Sequence, residues 1–475
     1  MSLTVCPDAV FLLQIGCYMP DWWLAANPDD VTVREDGLPR VKKQERQALA
    51  SKKWLKDSRI ALKALVDHVR SSPWGDRVWG ANVAENTNWE WFWWTGRGEF
   101  HITGYSPADY ASYREFLRKR YADDAALAEA WNRPGITFDT VKMPSKEYQL
   151  SGTVQMLLDA KKDRSLIDWF DFRNQVIAGA IIDLCKSLKE FSNNKWLTGA
   201  YYGYYINQLT NVGSHSIHSA GHNGFWEVAN SPYVDYIRAP AIYRLRRLCL
   251  ADGNQAPQDT FTAHDKTVFI ECDMRTALRE DPGCTDVRIA RPATVRQTVD
   301  EMNRVFGMML ATGCSYYWYD IAWYSYLHPV LVAVHRRQRR IYESLPPVRG
   351  LTPCEIALVG DRDSVYYTKH NNGSDSILPS IAVPLVEEFP RIGAPYRMLC
   401  NADLLEKGLI PAHRFYVMYA SFMLSKADRA ALLERFEREK AAVLWLYAPG
   451  GVLPRRRAGC EVLRRLPRRQ DAHGR

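Results

Sequence analysis

The stretch Thr267–Val268–Phe269–Ile270–Glu271–Cys272–Asp273–Met274–Arg275 decides how the chain is read. A short, β-rich apolar run closes on an acidic residue. Apolar runs of this length between long helical segments read as buried strands of a parallel sheet. A carboxylate at the end of such a strand is costly unless it is paired or used.

The same pattern recurs upstream and once downstream. Strands are expected at Phe11–Cys17, Val78–Ala84, Trp196–Gly203, Val234–Ala239, Thr267–Cys272 and Cys314–Tyr319. Between them lie stretches with apolar residues at helical spacing: Trp54–Arg70 (Leu55, Ile60, Leu62, Leu65, Val66), Pro107–Tyr121, Ile167–Phe191 and Val295–Ala311. Alternating strands and helices imply parallel pairing with helical crossovers. The expected fold class is α/β, a (β/α) barrel over residues 1–345 with its chemistry at the C-terminal strand ends.

Helix breakers cluster at Pro346–Pro347–Val348–Arg349–Gly350, where a boundary is expected. Residues 351–453 repeat the α/β theme on a smaller scale. Strands are expected at Cys354–Val359, Phe415–Tyr419 and Val443–Leu446. A short helix is expected around Pro384–Phe389, with Pro384 in its first turn, and a longer one at Ser425–Lys440 capped by Ser425. This reads as a doubly wound domain.

The net charge of +8 sits mostly at the end of the chain. Residues 454–475 hold eight Arg against Glu461 and Asp471, so the body carries only about two positive charges. A folded nucleic-acid surface would spread its basic residues otherwise, and no nucleic-acid partner is expected. The tail has too few apolar residues to fold alone and is expected to be disordered. The ten Cys show no C-x-x-C pair and no regular spacing, which fits reduced thiols and a cytoplasmic location. The apolar run Ala9–Ile15 is too short to span a bilayer, so no membrane association is expected.

Two carboxylates carry the candidate chemistry. Glu90 lies in Glu85–Asn86–Thr87–Asn88–Trp89–Glu90–Trp91–Phe92–Trp93–Trp94, directly after a strand and among indoles. Desolvation there raises a carboxyl pKa, as a general acid requires. Glu271 is the second, with Arg275 placed to lower the pKa of Glu271 or Asp273 and keep it ionised. A structural Asp273–Arg275 ion pair is the alternative reading of that cation. One acid and one nucleophile on different strands fit glycoside hydrolysis, with retention when the carboxyls stand about 5–5.5 Å apart. Aromatic residues at other strand ends suit a sugar cleft: Trp22, Trp23, Trp91, Tyr202, Trp318 and the nearby Asp320 are candidate substrate contacts, with Arg275. His215, His218 and His222 lie among Ser, Gly and Asn in a loop, not on a helix face, which argues against a metal; a hydrogen bond from His222 to substrate hydroxyls is preferred. No cofactor or metal is expected.

These residues resemble glycoside hydrolase family 42. The resemblance rests on Pro20–Asp21–Trp22–Trp23 with Asn27–Pro28, on Tyr105–Ser106–Pro107 through Tyr113–Arg114–Glu115–Phe116–Leu117 with Tyr121 and Ala130–Trp131, on Ser231–Pro232–Tyr233–Val234–Asp235–Tyr236, and on Glu271–Cys272–Asp273–Met274–Arg275–Thr276. It implies a retaining β-galactosidase-like activity on an oligosaccharide or glycoside, with Glu271 as nucleophile. The family ends its fourth strand in Asn-Glu, whereas this chain has Glu85–Asn86; Glu90–Trp91 matches the Glu-Trp of similar relatives. Glu90 is therefore the preferred acid/base, with Glu85 as the alternate. By the same resemblance Phe11–Cys17 corresponds to the third strand, and the barrel is expected to lack the first two βα units. Residues around Arg391–Ile392–Gly393–Ala394–Pro395 and Tyr447–Ala448–Pro449–Gly450 resemble the family's amidotransferase-like second domain, associated with homotrimer formation. A catalytically inactive carbohydrate-binding or structural protein derived from such a barrel is the alternative.

Overall fold

A computed structural model describes residues 6–39, 46–85, 89–93, 101–151, 156–211, 215–246, 248–278, 291–320, 324–346, 350–370 and 376–450. Expectations for residues 86–88, 94, 347–349 and 451–475 fall outside these.

All six expected barrel strands form: β1 (Phe11–Gly16), β2 (Val78–Ala84), β3 (Leu197–Tyr201), β4 (Tyr236–Pro240), β5 (Thr267–Cys272) and β6 (Ser315–Trp318). They pair in sequence order, every pair parallel. The sheet is a partial (β/α) barrel. Its two faces follow from the period of two along each strand. Val83, Ala200, Ile237 and Ile270 share one face and are fully buried under the helices. The opposite, concave face carries Asn82, Tyr201, Arg238, Glu271 and Tyr317. Polar groups there are what a site needs and what a packed core does not.

The crossover helices are built locally as their sequences dictate. Ser51 caps the helix Lys52–Ser71, its side chain accepting from Trp54 N at 2.9 Å. Trp54, Leu62, Val66 and Val69 are its buried stripe, whereas Ile60, expected in that stripe, is exposed. Ser106 and Asp109 form a reciprocal capping box ahead of the helix Pro107–Arg120, whose first residue is proline. The helix Arg164–Phe191 runs for 28 residues and packs against Lys52–Ser71.

The second sheet has four parallel strands in the order β10-β9-β7-β8: β7 (Ile356–Gly360), β8 (Tyr396–Cys400), β9 (Phe415–Tyr419) and β10 (Ala442–Leu446). β8 is an addition to the three strands expected there. Its five residues include Arg397, which breaks the apolar signal yet is almost completely buried. A second correction concerns Pro384. The helix spans Ile377–Glu388, so Pro384 lies in its interior and not in its first turn. Without an N–H it leaves the ladder one hydrogen bond short, a cost that packing of Ile377, Leu378, Ala382 and Val386 offsets.

One hydrophobic cluster extends from Trp54 and Val83 through Phe170 to Val365, Tyr367, Val417 and Phe422 beside the second sheet. Polar contacts cross the same seam. Met398 N donates to Asp259 Oδ2 at 2.8 Å, Asn223 Nδ2 to the Arg362 carbonyl at 2.7 Å, and Arg362 pairs with Glu227 at 2.5 Å. The eight described cysteines are all free thiols. No described helix is long and apolar enough to cross a membrane.

Candidate active site

Glu271 is the penultimate residue of β5, paired in register with Pro240 on one side and Tyr317 on the other. Two phenols clasp its carboxylate. Tyr317 Oη donates to Oε2 at 2.5 Å, and Tyr201 Oη donates to the same oxygen at 2.9 Å. The two hydroxyls also touch each other. Arg238, on β4 between them, lies with its guanidinium 5.6 Å from the Tyr201 ring centre and 5.3 Å from that of Tyr317.

Burial pushes the Glu271 pKa up, and the Asp273 charge pushes the same way. The phenol donors and Arg246 oppose this without reversing it. Of the readings open for Arg275, a lowered Glu271 pKa is therefore not met, and the pair with Asp273 is the one that forms. Arg275 Nη1 is spent on the Asp273 carbonyl at 2.9 Å and on its carboxylate at 3.3 Å, the structural pair. Asp273 is also paired with Arg246, whose guanidinium stacks 4.0 Å from the Tyr243 ring centre.

Glu90 reaches the same place by a different route. Trp89 adopts a left-handed φ of 67°, which turns the chain so that Glu90 makes a parallel bridge with Tyr201. The residues after it are anchored. Trp91 Nε1 donates to the Val83 carbonyl at 3.0 Å, and Trp93 N to the Ala220 carbonyl at 3.1 Å. Arg173 Nη2 holds the Trp93 carbonyl at 3.3 Å, and burial lowers the Arg173 pKa to about 10. Glu90 and Glu271 act on common neighbours: the charges of both raise the pKa values of Tyr204 and Tyr243, after burial in each case.

Glu85 differs. It is 2% exposed, and Gln47 Nε2 donates to it at 2.6 Å. It falls on the helix-facing parity of β2, with Val83, and its charge acts on Cys17 and Tyr18.

The aromatic candidates divide. Trp22 is 72% exposed on the short helix Asp21–Ala26 after β1. Trp23 is buried, its Nε1 donating to Asp57 at 2.6 Å. Trp91, Tyr202 and His222 are completely buried and offer no surface to a substrate. Tyr202 donates to the Gly221 carbonyl at 2.9 Å. His222 Nδ1 accepts from the backbone of Gly203 and of Tyr204, both at 3.1 Å, and burial drives its pKa far down, so the ring is a neutral pin between loops. His218 donates instead toward Val365 and Thr368, and among the described residues no group of three could hold a metal. Trp318 packs against Tyr316, Tyr326 and His335, on the helix side of β6. Asp320 follows β6, half-buried.

Tyr201 and Tyr317 belong to the strand-end aromatic runs Tyr201–Tyr205 and Tyr316–Tyr319 that sequence reasoning offers as support for a sugar cleft, but it does not single them out as contacts. Each is the immediate neighbour of one it chose, Tyr202 and Trp318. Counting in twos from Glu271 across the register was the available signal.

The sequence matches no protein-family model, and no curated protein matches it. Solved structures do resemble it. A catalytic mutant of a GH42 β-galactosidase from G. stearothermophilus covers 93% of this chain with TM-score 0.62 at 12% identity. The β-galactosidases of Rahnella sp. R3 (92%, 0.61, 14% identity) and of Halorubrum lacusprofundi (91%, 0.62, 14% identity) are similar to the same extent. An exo-carrageenase GH42 from Bacteroides ovatus also aligns, at 0.62 and 12% identity. The chain spans about 60% of the length of these proteins, between 58% and 62%. At such identities the likeness is one of fold.

Proposed function

We propose that the chain is a retaining glycosidase acting on β-galactosides or related glycans, with Glu90 as general acid/base and Glu271 as nucleophile. The observation that carries this reading is the position of Tyr201. Its backbone bridges that of Glu90 while its hydroxyl donates to the Glu271 carboxylate, so one residue at the end of β3 adjoins both.

The chemistry follows from the environments. Glu90 donates its proton to the leaving glycosidic oxygen as Glu271 Oε attacks the anomeric carbon and the old C–O bond breaks. Glu90, now ionised, takes a proton from water, whose oxygen displaces Glu271 and restores both groups. Tyr201 and Tyr317 hold the nucleophile in one orientation and stabilise its charge. Glu85, buried against Gln47, is the weaker acid/base candidate. Exposed Trp22 is available to stack on a sugar ring.

Turnover of para-nitrophenyl β-galactoside by Glu271→Ala, with and without azide, tests this. The expected result is loss of turnover in water and partial rescue by azide. The azide attacks the α face left open by the missing carboxylate and yields α-galactosyl azide. Undiminished turnover removes Glu271 from the mechanism. A wild-type chain that binds galactosides without cleaving any aryl glycoside replaces this reading with that of a carbohydrate-binding protein.

A further inference from the structure

We propose that Arg238 is a positioning residue for Glu271, acting through the hydroxyls of Tyr201 and Tyr317, whose protons it turns toward the carboxylate. The inference rests on the reading of Glu271 as nucleophile.

Arg238 is the central residue of β4. It pairs in register with Tyr201 on β3 and with Phe269 on β5, two residues before Glu271. Strand parity puts its side chain on the concave face, one layer below the carboxylate. The guanidinium carbon stands 5.6 Å from the Tyr201 ring centre, 5.3 Å from that of Tyr317 and 5.8 Å from that of Tyr236. Apart from burial, the groups that act most on its charge are these same three phenols. An arginine keeps that charge at any working pH.

Three oxygens crowd together above it: Glu271 Oε2, Tyr201 Oη and Tyr317 Oη. While Glu271 is ionised they share two protons, one from each phenol. The Tyr201 hydroxyl has two acceptors within reach, the carboxylate and the other phenol. The cation lies against both phenols. It repels a proton held between the two hydroxyls and leaves the carboxylate as the better acceptor. It also sharpens the donor: burial and the Glu271 charge raise the Tyr201 pKa, whereas Tyr317 and then Arg238 lower it.

The experiment reads the ionisation of Glu271 without relying on turnover. Melting temperatures of the full chain with and without Glu271→Gln are compared from pH 4 to pH 9. The midpoint of the pH-dependent difference reports the Glu271 pKa. It is measured in the wild-type, Arg238→Met, Arg238→Lys and Tyr201→Phe/Tyr317→Phe backgrounds, and in the last with Arg238→Met added. Asp273 and Arg246, which act on Glu271, stay in place throughout, as do Tyr204, Tyr243 and Tyr319, which feel its charge, and Glu90, which acts on Tyr204 and Tyr243.

We expect Arg238→Met to raise the midpoint by about one pH unit, a tenfold change in the ionisation constant. Arg238→Lys should restore at least half of it. With both phenols removed, Arg238→Met should add no further rise. The acidic limb of kcat/KM for para-nitrophenyl β-galactoside should move with the midpoint. A purely packing role lowers Tm equally at every pH, and an unmoved midpoint overturns the proposal. A rise undiminished by loss of the phenols overturns it too, because the cation would then act on Glu271 directly. A moved midpoint in a chain that cleaves no aryl glycoside upholds the role of Arg238 at Glu271 and sinks the nucleophile reading alone. Should Arg238→Met not fold, Arg238→Gln takes its place.

Discussion

Tyr201, the last residue of β3, donates a hydrogen bond to Glu271 on β5, across the whole width of β4. Tyr317 donates to the same oxygen from the other side. Both donors favour the ionised carboxylate and hold its pKa below where burial alone would put it. Tyr201→Phe and Tyr317→Phe should therefore each raise the acidic limb of the kcat/KM–pH profile and lower its plateau. A hydrogen bond to a charged group is worth about 1.5–3 kcal/mol, so the loss should be roughly ten- to a hundredfold. An unmoved acidic limb in both variants would disprove the clasp.

The raised pKa of Glu271 also makes a statement about stability. Its folded pKa is above that of the unfolded chain, near 4.3 for a free glutamate. The contribution of such a group is fully present below the unfolded value and is lost as pH rises through the folded one. At neutral pH ionised Glu271 thus works against folding. Glu271→Gln should raise Tm at pH 7–8 while cutting turnover by about three orders of magnitude or more. The Tm difference should shrink toward pH 4. A Tm advantage that is independent of pH would contradict the linkage.

Glycine substitutions separate free from crowded backbone. Gly179 is exposed within the helix Arg164–Phe191, and a Cβ there would meet nothing within 4 Å. Gly179→Ala should stabilise by about 0.5–1 kcal/mol. Gly199 on β3 lies under the Tyr236 ring, where a Cβ would fall 2.5 Å from Cδ2. Gly199→Ala should cost about 1–3 kcal/mol through overpacking. Urea melts of both variants check the opposite signs.

Tyr202→Phe distinguishes the buried tyrosine from its neighbour. It removes only the hydrogen bond to the Gly221 carbonyl. The expected result is a stability loss of about 1 kcal/mol with the pH–rate profile unmoved. A profile displaced like that of Tyr201→Phe would mean that Tyr202 communicates with Glu271.

The strands of the barrel were legible because each is an apolar run with its own boundaries, and Glu271 was legible because a carboxylate ending such a run has to be accounted for. The aromatic contacts were less so. In Tyr201–Tyr202 and Tyr317–Trp318 both members are large, aromatic and near a strand end, and composition cannot say which one faces inward. Only the register does: Glu271 pairs with Tyr317, and so Trp318 must face the helices with Cys272. β8 was hidden for a related reason, since its buried Arg397 is satisfied in part by the distant Thr352 carbonyl, a contact that no local pattern reveals. Sequence proximity left Glu271 and Asp273 both open as partners of Arg275; the structure pairs it with Asp273, and Arg246, more distant in the chain, is the cation that acts on Glu271.

The shared core has a thermodynamic corollary. Val365, Tyr367 and Phe422 belong to the same apolar cluster as Trp54 and Val83, and ion pairs and buried hydrogen bonds cross between the two sheets. Neither sheet can shed its partner without exposing that cluster to water. Heating should therefore melt both together, in one calorimetric peak whose van't Hoff and measured enthalpies agree.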